Sequence, residues 1–183
     1  MGGELDLSRR RSLIATQQES DGKVWLYKDG ELADFLGSLK TGTAYSESST
    51  YNKASQEETY LYIYGTTANS GSTYRGGKSF TSENKIPSSL IGKTLHVKGE
   101  HKNTSSNTND QAYAYIAGTI SSAYLLDNAY SNYIRASKDF GQENDYTEFE
   151  LVLPITRVGY LSLVGRKVNA GIYGFKFTEV WAE

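Results

Sequence analysis

Period-two alternation between turn residues constrains this chain more than any other feature. In "TEFELVLP" (147–154), Phe149, Leu151 and Leu153 fall on one face of an extended strand, and Glu148 and Glu150 on the other. "TLHVKGEH" (94–101) repeats the pattern, with Leu95 and Val97 inward and His96, Lys98 and Glu100 outward. "VWLYK" (24–28), "TYLYIYG" (59–65), "AYAYIAGTI" (112–120), "NYIRA" (132–136), "GYLSLVG" (159–165) and "GIYGFKFTEVWAE" (171–183) complete the set. Only "ELADFLGSL" (31–39) and the N-terminal tail offer a helical alternative, and both are short. About eight or more short strands with turn signals between them predict an all-β sandwich of antiparallel strands. The polar stretches 40–58, 65–85, 101–111 and 121–131 read as long loops. Residues 21–183 are expected to form one domain, preceded by a segment, 1–20, with no clean period.

The absence of cysteine excludes disulfides, thiolate metal sites and a cysteine nucleophile, so apolar burial has to hold the sandwich by itself. A net charge of -2 gives no electrostatic reason to expect nucleic acid or an acidic membrane as partner. No run of about 18 apolar residues is present, so membrane insertion is not expected. The N-terminus shows no apolar h-region, and "MGGELD" puts Asp6 where a myristoylation signal wants Ser or Thr. Within residues 1–20, Arg9, Arg10 and Arg11 followed by Leu13 and Ile14 cannot bury enough surface to fold alone. The segment reads as an extended connector that packs on a partner.

Catalytic and metal-binding motifs fail on spacing or context. "GSTYRGGKS" (71–79) has Ser72 where a phosphate loop needs glycine, and Pro87 and polar residues follow where its helix should start. His96 and His101, five apart in a strand, fall on opposite faces and cannot share a metal. Glu47, Glu57, Glu58, Glu143, Asp145, Glu148 and Glu150 lie in polar loops or on outward strand positions, poor settings for a general acid. "NTND" (107–110) offers oxygen ligands without the spacing of a calcium loop. Asn103-Thr104-Ser105 is a glycosylation sequon. No cofactor, metal or catalytic residue is expected, and the chain reads as a non-enzyme.

Tyrosine carries the functional signal, with 15 copies against two Trp and six Phe. Alternation in "TYLYIYG" puts Leu61 and Ile63 on one face and Tyr60, Tyr62 and Tyr64 on the other. With the aliphatics in the core, the tyrosines form an outward row, expected to be flanked by Tyr113 and Tyr115. Such a band either stacks on sugar rings or packs against another subunit. Trp25 and Trp181 sit in strands and read as structural. The candidate ligand set is Tyr60, Tyr62, Tyr64, Tyr74, Arg75, Tyr113, Tyr115 and Tyr124, and the candidate attachment set is Arg9, Arg10, Arg11, Leu13 and Ile14.

"ELDLSRRRSL", "VWLYKDGE", "NKIPSSLIGKTLHVKGE" and the closing "GFKFTEVWAE" together resemble the β-sandwich modules of phage and prophage tail-associated minor structural proteins. Those modules are similar to the galactose-binding-like jelly roll of carbohydrate-binding modules. The resemblance implies a non-enzymatic virion component whose connector meets other tail chains and whose sandwich faces outward, with host-surface glycan as a possible ligand. The alternatives are a purely structural decorating or cementing protein and a jelly-roll polysaccharide-degrading enzyme.

Overall fold

The alternating segments become twelve antiparallel strands among the described residues, which in this computed structural model are 21–43, 52–67, 75–104, 110–119, 133–168 and 171–183. They are β1 (Val24–Lys28), β2 (Glu31–Leu32), β3 (Leu39–Thr43), β4 (Asn52–Gln56), β5 (Leu61–Thr67), β6 (Arg75–Lys85), β7 (Thr94–Asn103), β8 (Asp110–Ala117), β9 (Tyr133–Phe140), β10 (Glu143–Pro154), β11 (Tyr160–Val168) and β12 (Gly171–Ala182). The first sheet runs β10-β7-β12-β1-β2, and β5, carrying β4 on its far side, takes the rest of the β12 edge that β1 leaves open. The second sheet runs β3-β6-β11-β8-β9. From β5 onward the chain passes repeatedly from one sheet to the other, so strands adjacent in sequence mostly lie in different sheets.

The core is what the alternation predicts. Leu61 and Ile63, Leu95 and Val97, Phe149, Leu151 and Leu153, and Phe175 and Phe177 point from the first sheet into the space between the layers. Phe80, Ala112, Ala114, Ile116, Leu161 and Leu163 meet them from the second. Small residues sit where rings need room: a Cβ at Gly99 would lie 2.6 Å from the Phe149 ring, and one at Gly165 would lie 2.5 Å from that of Phe175. β1 turns into β2 through Asp29 and Gly30, both at positive φ, the conformation a two-residue hairpin demands.

Two stretches read as loops are strands. β4 and all but the first residue of β3 fall within 40–58, and β6 occupies 75–85 of the stretch 65–85. β6 lies between β3 and β11, and its Ser79, Thr81 and Ser82 are buried. Polar composition misled here because short hydroxyls can be satisfied inside a sheet. Thr81 and Ser162 share a hydrogen bond of 2.8 Å, and Ser82 Oγ donates to the Asn84 carbonyl while accepting the Leu161 amide. The segment 31–39 holds β2 and one 3-10 turn, Asp34–Leu36, and no α-helix occurs among the described residues.

The histidines take opposite faces, as the spacing requires. His96 lies on the outer face, stacked on Trp181 at 4.8 Å and bonded to Glu150. Trp181 pairs in register with Trp25, and both are buried beneath Lys23, Lys28 and Lys98. His101 points inward between the Phe140 and Phe175 rings, into a charged cluster at one end of the core. Its Nδ1 is 2.8 Å from Glu143 and its Nε2 is 2.9 Å from Asp110. Lys167 of β11 completes the cluster, donating to Asp110 at 2.9 Å and to Asn103 at 3.1 Å. Asn103, the sequon acceptor, is therefore fully buried.

With Leu61 in the core and Tyr62 on the outer face, Leu61→Ala is expected to lose about 2–5 kcal/mol in chemical denaturation and Tyr62→Ala less. The reverse order would mean that the sheet is turned over. Tyr27 is buried with no hydrogen-bond partner for its hydroxyl among the described residues. Tyr27→Phe should therefore be neutral or stabilising by about 1 kcal/mol. Burial, chiefly, pushes the Tyr27 and Tyr173 phenols above their ordinary value of 10.0. The folded state keeps these protons at a pH where the unfolded chain has begun to release them. Their contribution is fully present below about pH 10 and is lost as the pH climbs beyond it. Tyr27→Phe should shift the alkaline unfolding midpoint upward, read by circular dichroism.

Candidate functional site

Because Leu61 and Ile63 fill the core, Tyr60, Tyr62 and Tyr64 stand on the outer face of the first sheet, each half-buried. They form one continuous array. Tyr60 meets Tyr62 edge-on with centroids 5.8 Å apart, and Tyr62 stacks on Tyr64 at 4.4 Å and 19°. The array is wider than the row in the sequence, because Tyr146 of β10 reaches across β7 and β12 to bring its hydroxyl 2.9 Å from that of Tyr62. The crossing depends on Gly174 of β12, where a Cβ would lie 2.9 Å from the Tyr146 hydroxyl and 3.1 Å from the Tyr62 hydroxyl.

Lys176, two residues along the same outward face of β12, supplies the charge. Its Nζ lies 3.7 Å from the Tyr146 ring centroid and 5.2 Å from that of Tyr60, and it pairs with Glu100 of β7 at 3.3 Å. Lys102 Nζ lies 5.8 Å from the Tyr146 ring centroid as well. An ammonium over two ring faces is held by their quadrupoles as well as by the carboxylate. Burial and the bond with Tyr62 push the Tyr146 phenol up from its ordinary 10.0. It stays a neutral donor and acceptor at any physiological pH.

A shallow groove of about 550 Å³ adjoins this face at Glu100, lined also by Lys98, Glu148, Glu150 and Glu179 and by Lys138 of β9 in the second sheet. Glu100 and Glu148 stand opposite each other on neighbouring strands. Glu148 and Glu150 are exposed, so neither has the apolar surroundings a general acid needs. Among the described residues no group of three or more His, Cys, Asp or Glu side chains could hold a metal ion. What the face offers is aromatic planes, phenol hydroxyls, an ammonium and carboxylates on one rigid sheet. That combination can stack on an apolar ring face and hydrogen-bond the hydroxyls at its rim.

Of the eight tyrosine and arginine candidates, three are in this array: Tyr60, Tyr62 and Tyr64. Tyr113 and Tyr115 do not flank them. They lie on β8 in the second sheet, facing away from the core, so the tyrosines form two separate clusters. They are 5% and 2% exposed and behave as packing residues. Tyr115 stacks on Tyr113 and meets Tyr133 edge-on, while Tyr113 accepts a hydrogen bond from Arg166 and donates to Gln111. Arg75 opens β6 in the second sheet. Tyr74 and Tyr124 lie outside the described residues, as do Arg9, Arg10, Arg11, Leu13 and Ile14. Sequence reading missed Tyr146 and Lys176. Both had a signal: Tyr146 shares the parity of Glu148 and Glu150, and Lys176 alternates with Phe175 and Phe177.

No protein-family model matches the chain, and no curated protein matches it. Several solved structures are similar in chain path. A family 61 carbohydrate-binding module in complex with β-1,4-galactotriose has 9% identity and a TM-score of 0.45, over 81% of this chain and 89% of that one. A family 29 carbohydrate-binding module from Piromyces equi has 13% identity and a TM-score of 0.44, over 87% and 89%. The enzymatically active domain of tailspike protein 4 from bacteriophage CBA120 has 12% identity and a TM-score of 0.46, over 80% of this chain and 19% of that one.

The hydroxyl pair gives a direct test of the array. The contact with the Tyr62 hydroxyl helps to hold the Tyr146 phenol above its ordinary value, so Tyr62→Phe should let Tyr146 ionise at a lower pH in an ultraviolet alkaline titration. An unchanged Tyr146 titration would mean that the two rings do not touch.

Proposed function

We propose that the chain is a non-catalytic glycan-binding β-sandwich module, with the outer face of its first sheet as the binding surface. The observation that carries this reading is the array of Tyr60, Tyr62, Tyr64 and Tyr146 held around Lys176 and Glu100. Four aromatic residues on one sheet face, with their hydroxyls and a lysine–glutamate pair between them, match the mixed apolar and polar faces of a pyranose. Tyrosine suits the task because its ring costs little side-chain entropy to fix and ends in a polar atom. The finer part of the proposal is its setting. The module belongs to a phage or prophage tail, residues 1–20 attach it to a neighbouring virion chain, and the ligand is a saccharide of the host surface. The sequence resemblance supports that setting, with Arg9, Arg10, Arg11, Leu13 and Ile14 as the attachment contacts.

A glycan array carrying bacterial wall and capsule saccharides, read with the folded full chain, tests the binding. Uptake of a defined glycan is expected, and Tyr62→Ala or Tyr146→Ala should weaken it about tenfold or more, roughly 1.4 kcal/mol, without changing the circular dichroism spectrum. No uptake by folded protein would overturn the reading. Deleting residues 1–20 should abolish co-purification with assembled particles and leave glycan uptake intact.

A further inference from the structure

The charged cluster between the sheets contains a pairing that neither the glycan surface nor the packing of the core requires. Lys167 Nζ lies 3.1 Å from the side-chain carbonyl oxygen of Asn103 and 2.9 Å from a carboxylate oxygen of Asp110. All three residues are 0% exposed. The strands that carry them come from both layers: Asn103 ends β7 in the first sheet, while Asp110 opens β8 and Lys167 lies on β11 in the second. We propose that Lys167 and Asn103 join spontaneously in an intramolecular isopeptide bond, with Asp110 as the proton carrier.

In water a lysine does not attack an asparagine, because the amine is protonated and the amide is a poor electrophile. Burial changes both conditions. A dry site penalises the separated charges of ammonium and carboxylate, so passing a proton from Lys167 to Asp110 leaves two neutral groups and removes that penalty. The amine so formed already touches the amide carbonyl of Asn103, whose carbon is one bond beyond the contacted oxygen. The packed core holds the two in place, supplying the proximity that a bimolecular reaction lacks. The Asp110 carboxyl, now protonated, polarises the amide as the nitrogen lone pair adds to its carbon.

The bookkeeping of the step is closed. The Nζ–Cγ bond forms and the Cγ–Nδ2 bond of Asn103 breaks. Two of the three Nζ protons end on the departing nitrogen, at least one of them by way of Asp110, and it leaves as an ammonium ion. One proton stays on the new secondary amide, and Asp110 finishes as the carboxylate it was at the start. No oxidant, reductant or metal is needed. His101 is a positioning residue, since its Nε2 holds the second Asp110 oxygen at 2.9 Å while Nδ1 is held by Glu143 at 2.8 Å. The Phe140 and Phe175 rings on His101 keep the site apolar. Asp110 is not the acceptor in this arrangement, because its two oxygens are engaged by Lys167 Nζ and His101 Nε2 and it is the group that carries the proton.

The bond would tie β7 to β11 across the sandwich and give a cysteine-free chain one covalent link between its layers. The test is the intact mass of the purified, denatured full chain together with peptide mapping. The expected result is a mass lower than the sequence mass by one ammonia, and a branched peptide joining Lys167 to residue 103. Lys167→Arg and Asp110→Asn should each restore the full mass of the variant sequence. If a variant does not fold, the wild-type mass and the branched peptide still decide the question. A folded wild-type chain with the full mass and a free Lys167 amine, after prolonged incubation, would overturn the proposal. A loss of one water, with Lys167 joined to Asp110, would equally overturn it.

Discussion

Side-chain parity in β5 is the constraint on which the rest depends. Once Leu61 and Ile63 are committed to the space between the sheets, Tyr60, Tyr62 and Tyr64 have no freedom left and must stand outside. The same rule acts on β12, where Phe175 and Phe177 drive Gly174 and Lys176 to the outer face beside those tyrosines. It acts again on β10, where Phe149 and Leu151 put Glu148 outside and Tyr146 with it. The array is thus a by-product of three strands burying their apolar residues in a common register. A slip of one residue in any of them would scatter it.

Much of this was legible in the sequence, wherever alternation was strong. β7 and β10 appear with their correct faces, and the Asp29–Gly30 turn lies between β1 and β2. Alternation separated the Tyr60–Tyr64 row from Leu61 and Ile63 but left open which face is buried, and the structure buries the aliphatics. β6 was not, because its buried serines and threonine look like loop residues until Ser162 and the Leu161 amide are seen to satisfy two of them. Nor were the partners across the sheet. That Tyr113 and Tyr115 occupy the other layer is a fact of strand order, which alternation along a single strand does not encode. Tyr146 escaped notice because the polar run from Glu143 to Thr147 holds no aliphatic residue to mark which face is inward.

The interior holds a second kind of order. A charged cluster of His101, Asp110, Lys167 and the edge of Glu143 replaces apolar packing at one end of the core. Such a cluster is tolerable only because the contacts are mutual: Lys167 meets Asp110, Asp110 is shared with His101, and the other ring nitrogen of His101 meets Glu143. Its neighbours, the Phe140 and Phe175 rings, belong to the same apolar cluster as Leu61 and Ile63. Apolar core and charged cluster therefore rise and fall together.

β12 is the last strand of the chain, yet it lies in the middle of the first sheet, bonded to β7 along one edge and to β5 and β1 along the other. Strands β1, β5 and β7 therefore share a central partner that lies far from them in sequence. Closing those ladders spans most of the chain length, a topology that folds slowly. Loss of even the final dozen residues would leave three strands without the neighbour they share. The tyrosine surface is complete only when β12 stands between β5 and β7.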